Sequence, residues 1–151
     1  MNIPADHGSY LIIGRLDHVI QLTTGSFSGQ LLKKGYYLYS GSAFGPGGLR
    51  ARISRHLIKD SKKFWHYDHL KASLCFEEIL FSIDAVRQEC KFIQKLGEME
   101  GVSFPIHGFG SSDCRQKCPS HLARFPLSYD IGIVVRDLKA DGMNLIGRPL
   151  G

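Results

Sequence analysis

The chain has 151 residues, a length suited to one domain with a sizeable core. Its 43% hydrophobic and 22% charged residues exclude a disordered polyelectrolyte, and no apolar run approaches the roughly 20 residues a bilayer-spanning helix needs. A formal charge of +5, from 19 Lys and Arg against 14 Asp and Glu, leans towards a polyanionic partner without defining one.

In chain order, SYLIIGRL (9–16) is apolar and β-branched and predicts a strand. HVIQLTT (18–24) either extends it or forms a hairpin partner, and GSFSGQ (25–30) is turn chemistry. YYLYSGS (36–42) predicts a second strand from its aromatics, and the FGPGG stretch (44–48) must loop. From Leu49 the period changes: Leu49, Ile53 and Leu57 fall at i, i+4 and i+8, the apolar stripe of a helix. A second helical stretch is expected near 64–74, and FEEILFSI (76–83) predicts a third strand. Asp84 reads as the N-cap of a third helix over AVRQECKFIQKLGEM (85–99), with Gly97 near its end. VSFPIHGFGSSDC (102–114) is turn-rich, IGIVVRD (131–137) reads as a late strand, and DGMNLIGRPLG (141–151) as a loose tail. The first residues, MNIPADHGSY, carry no leader pattern, and cysteines 75, 90, 114 and 118 are too scattered for a disulfide scaffold. A reducing, cytoplasmic setting is expected.

Between Lys33 and Lys63 every formally charged residue except Asp60 is basic. Within that stretch Arg52, Arg55 and His56 stand at i, i+3 and i+4 and share one side of the helix. A glycine turn feeding a helix start would offer backbone N–H groups to phosphate oxygens, with the cations one turn later. The same residues also suit a merely solvated basic face. No GxxxxGK[ST] pattern is present, so a nucleoside triphosphate site is not supported. Tyr10, Tyr36, Tyr37 and Tyr39 fall on the first two strands and, read alone, are packing residues. HYDH (66–69) reads alone as a helical packing unit with polar edges. Cys114, Cys118 and His121 offer three zinc ligands, but a closed site needs a fourth from distant Cys75, Cys90 or His107. A structural zinc is not expected, and the segment is read as a loop packed against the site.

Taken together, GSY (8–10), YSG (39–41), GSAFGPGGLRARISRH (41–56), FWHYDHL (64–70), EC (89–90), GFGSSDC (108–114) and SHL (120–122) resemble the GIY-YIG nuclease superfamily. The likeness is greater to its compact prokaryotic Uri-type (DUF123-like) endonucleases, over about residues 8–125. Serine replaces the usual apolar middle residue of both tripeptides, and the FGPGG turn is two residues longer than in the wider superfamily. The resemblance implies a small α/β domain with a central three-stranded, mainly antiparallel sheet flanked by helices. Its core would span about 8–100 and a C-terminal extension about 101–151. It implies metal-dependent hydrolysis of phosphodiester bonds in DNA, with RNA left open and no membrane partner.

By that resemblance Tyr10, Tyr39, Arg52, His56 and Glu89 are catalytic, and Glu89 binds one divalent cation, Mg²⁺ or Mn²⁺. Glu77 and Glu78, in the strand, match the metal ligand less well. Gly41, Ser42, Gly47, Gly48, Arg50, Arg55, His66 and Asp68 are the implied substrate contacts. Arg52 would neutralise charge on the phosphorane. Tyr10 would take a proton from water, with Arg52 and the cation lowering its pKa. The rival reading is a non-catalytic nucleic-acid-binding module on the same scaffold; a third is a zinc-stabilised interaction domain.

Overall fold

A computed structural model describes residues 2–23, 25–58, 67–111, 114–116, 118–140 and 145–150. Strand β1 (Gly8–Leu16) lies between β4 (Gly35–Ala43) and β5 (Cys75–Ile83), antiparallel to both. Its alternate side chains enter two cores. Tyr10, Ile12 and Leu16 join one, with Leu49 and Ile53 of α1 (Gly48–Leu57). Leu11 and Ile13 join the other, with Phe92, Ile93 and Leu96 of α3 (Glu89–Gly97). Burial on both faces explains why β1 reads as a continuous apolar run rather than a strict alternation.

The sheet is antiparallel throughout but has five strands in the order β6-β4-β1-β5-β7, two more than the expected three. Both extra strands come from beyond residue 100. β6 (Leu122–Phe125) pairs with β4, and β7 (Ile146–Pro149), from the expected loose tail, pairs with β5. Proline at the end of an edge strand costs the ladder little. IGIVVRD forms no strand; it opens helix α4 (Ile131–Lys139). The Asp130 side chain accepts from the Gly132 N–H at 2.9 Å, and Val134, Val135 and Leu138 are buried. That is a capped 3.6-residue period, and it overrides the β preference of Ile and Val.

Helix α3 starts later than Asp84 predicts. The Asp84 carboxylate instead accepts from the Val86 N–H at 3.1 Å and the Gln88 Nε2 at 3.0 Å, and Gln88 is the cap residue. HVIQLTT contributes β2 (Ile20–Gln21), paired with β3 (Leu31–Leu32) in a separate two-stranded ribbon. The second helical stretch is described only as α2 (Asp68–Lys71). Residues 64–66, and with them the expected substrate contact of His66, lie outside the described residues. Among the described residues no helix is long and apolar enough to cross a membrane.

Candidate active site

The β1–β4 register sets Tyr10 opposite Gly41. A Cβ at Gly41 would lie 2.4 Å from the Tyr10 hydroxyl oxygen, so glycine is what lets the ring lie across the neighbouring strand. The hydroxyl meets His56 Nε2, on α1, at 2.9 Å. Burial brings the His56 pKa down to about 3; Asp68 opposes this, while Lys71, Arg52 and Arg55 reinforce it. The imidazole is therefore neutral at ordinary pH. Burial pushes the Tyr10 hydroxyl well above the usual tyrosine value; Tyr39 and Glu89 add to this, and Arg52 opposes it by charge and hydrogen bond. Arg52 acts in the expected direction but is outweighed.

Tyr39 stacks on Tyr67 with ring centroids 4.3 Å apart and meets His56 and Phe109 edge-on. Burial first, and Glu89 second, raise its pKa as well. The two serines of the tripeptides hold the start of α3. Ser40 Oγ donates to the Glu89 carbonyl at 2.8 Å. The Gln88 N–H donates to Ser9 Oγ at 2.8 Å, and Ser9 Oγ shares a 2.9 Å hydrogen bond with Ser42 Oγ. Glu89, half-buried, is thus fixed at the first position of its helix by β1 and β4.

Arg52 reaches the Ser42 carbonyl at 3.4 Å and hydrogen-bonds Tyr10. Arg55 grips Asp68 with two 3.1 Å hydrogen bonds. Lys71 Nζ donates to Asp68 Oδ1 and to the Arg55 carbonyl, each at 3.1 Å. Asp68 and Lys71 are fully buried, so Asp68 has no surface for substrate and instead locks α1 to α2 from behind. Arg50 is exposed and donates through Nε to the Ile3 carbonyl at 2.8 Å, tying down the N-terminal segment.

The glycine turn does not cradle an anion. The Leu49 N–H donates to the Asp6 carbonyl and the Arg50 N–H to the Pro4 carbonyl, both at 2.9 Å, and the Gly48 N–H to Gly45 at 3.1 Å. A Cβ at Gly48 would sit 2.1 Å from the Ala5 carbonyl oxygen, at a φ of +57°. Gly48 therefore admits residues 4–6 against the helix start, where they occupy the Leu49 and Arg50 N–H groups, and Gly47 makes the turn just ahead at a φ of +81°.

A cleft of about 650 Å³ opens where β1, β4, α1 and the start of α3 converge. Tyr10, Tyr39, Gly41, Ser42, Arg52, His56 and Glu89 all line it. So do Ser40 of the YSG motif, Arg115, Gln116 and His121 of the segment expected to pack against the site, and Arg87, which sequence reasoning did not place there. Arg87 and Arg115 carry readable charge, but neither lies at a motif spacing; only the fold brings them to Arg52. Among the described residues Glu89 is the one carboxylate on the cleft wall.

Beside it, Cys90, Cys114, Cys118 and His121 place four ligand atoms within 4.8 Å of one another, a group that could hold a metal such as zinc. Of the three candidates for a fourth ligand, Cys75, Cys90 and His107, the fold brings in Cys90, the neighbour of Glu89.

Fold and cleft define a small α/β domain in which a sheet tyrosine pairs with a helix histidine beside an arginine and a carboxylate. The chain belongs to the family described as a domain of unknown function, DUF123, whose model matches residues 9–139. No curated protein and no solved structure matches.

Proposed function

We propose that this chain is a metal-dependent endonuclease of the GIY-YIG type that hydrolyses phosphodiester bonds in DNA. The observation that carries the reading is the convergence in one cleft of the Tyr10–His56 hydrogen bond, Arg52 and Glu89. Arg87 and Arg115 add two cations to the same walls, which suits a polyanionic strand. A lone carboxylate in a cleft of about 650 Å³ fits Mg²⁺ or Mn²⁺, since Mg²⁺ takes one or two carboxylates and keeps several waters. Glu89 would hold that ion. When bound, it supplies Lewis-acid polarisation of a phosphoryl oxygen.

Arg52 binds the phosphate and stabilises the charge that grows on it in the transition state. Tyr10 and His56 move the proton. The neutral His56 Nε2 takes the Tyr10 proton while the Tyr10 oxygen takes one from the attacking water. This relay never requires the free phenolate that burial disfavours. The water oxygen bonds to phosphorus as the bond to the leaving oxygen breaks; the leaving oxygen takes a proton from solvent, and His56 later returns its proton to solvent. A bound phosphate's negative charge favours the imidazolium so formed. Tyr39, buttressed by Tyr67, shapes the wall beside this pair.

The test is a low-salt cleavage gel with end-labelled single-stranded, duplex, flap and junction DNA, run with Mg²⁺, Mn²⁺ or chelator. Cation-dependent cutting supports the nuclease. Salt-sensitive binding without cutting in any lane would transfer the chain to the binding-module reading.

A further inference from the structure

We propose that Cys90, Cys114, Cys118 and His121 bind one structural Zn²⁺ that ties the first turn of α3 to the 114–121 loop. The proposal stands apart from the nuclease reading. Tetrahedral zinc with Zn–S of about 2.3 Å and Zn–N of about 2.0 Å sets S···S separations near ~3.8 Å and S···N near ~3.5 Å. Cys90 Sγ lies 3.2 Å from Cys114 Sγ and 3.6 Å from His121 Nε2, and the four ligand atoms fall within 4.8 Å of one another. The sulfur pair is far from the roughly 2.05 Å of a disulfide, and all the cysteines are free thiols.

Three thiolates and an imidazole select zinc over magnesium or calcium, which prefer oxygen. Four protein ligands also close the tetrahedron, leaving no position for a reactive water, which makes the site structural rather than catalytic. Supporting hydrogen bonds are in place. The His121 ring bonds the Gly110 carbonyl, and the Cys114 sulfur receives hydrogen bonds from the backbone at Gln116 and Cys118. Binding releases the three thiol protons to solvent, so affinity rises with pH.

The placement has a consequence for the cleft. Cys90 follows Glu89, and Arg115 and Gln116 follow Cys114, all of them cleft residues. One ion therefore fixes two walls that are far apart in sequence.

The chain is expressed with added zinc, purified without chelator, and its zinc content measured; the metal is then exchanged for Co²⁺ and the absorption spectrum recorded. The expected result is about one zinc per chain and a Co²⁺ spectrum with tetrahedral ligand-field bands plus thiolate charge-transfer absorption. Cys75→Ser, which alters the exposed cysteine outside the cluster, should keep the full metal content, and Cys114→Ser should lose it. Because Cys114→Ser can fail to fold, the native protein's content and cobalt spectrum decide the matter without it. Folded native protein with substoichiometric zinc, or a Co²⁺ spectrum lacking thiolate bands, would overturn the proposal. So would a mass two hydrogens light from a Cys90–Cys114 disulfide in protein kept under reductant.

Discussion

The environment of Tyr10 reverses the usual expectation for a catalytic tyrosine. Burial makes ionisation harder, and the partner at 2.9 Å is an imidazole that burial holds neutral. His56 also makes the fold acid-sensitive. Its folded pKa of about 3 lies below the usual value of about 6.5, so the unfolded chain binds more protons between those limits. Stability contributed by the neutral His56 is complete above about pH 6.5 and is lost as pH falls towards 3. His56→Gln cannot titrate, so urea denaturation at about pH 7 and pH 5 should show a smaller loss for the variant than for wild type. Arg52→Ala should lower kcat by about 100–1000-fold, the usual effect of removing a transition-state charge donor, and weaken DNA binding too. Steady-state kinetics beside a filter-binding titration would separate the two effects.

At the scale of elements, Glu89 is placed by strands that do not contain it. Ser9 accepts the Gln88 N–H and is itself fully buried. Ser9→Ala should cost about 1–3 kcal/mol by leaving that donor unsatisfied, and should reduce cleavage while DNA affinity holds. Chemical denaturation and the same binding titration check both parts. The α1–α2 junction makes a second prediction. Asp68→Ala should cost about 3–5 kcal/mol, because it strands Lys71 in the core without its carboxylate. Replacing Asp68 and Lys71 together by apolar residues should recover much of that loss, measured by the same denaturation midpoints.

Across the whole molecule, the three central strands and α1 were legible because their apolar patterns and the FGPGG break are local signals. The edge strands were not. β6 and β7 are four residues each, and their places depend on pairing with β4 and β5, which no local period encodes. Helix α4 was misread because Ile131, Ile133, Val134 and Val135 look β-branched first, although Asp130 and the 131/134/135/138 spacing carry the helical signal. In the site, the motif residues Tyr10, Arg52, His56 and Glu89 do share one cleft. Gly47 and Gly48 suggested a phosphate site because the acceptors of the Leu49 and Arg50 N–H groups that follow them come from residues 4–6, ahead of β1 and invisible to a reading of the turn alone. Cys90 could be read only as one of three candidates for a fourth metal ligand, because 24 residues separate it from Cys114 and no local spacing ranks it above Cys75 or His107. The central claim is that this cleft cuts DNA with a cation held by Glu89. Its most direct test is cation-dependent cleavage by wild type beside Glu89→Gln, with DNA binding measured on the same samples. Cutting should vanish in the variant while fold and binding persist; cutting by Glu89→Gln at the wild-type rate would contradict a cation held by Glu89.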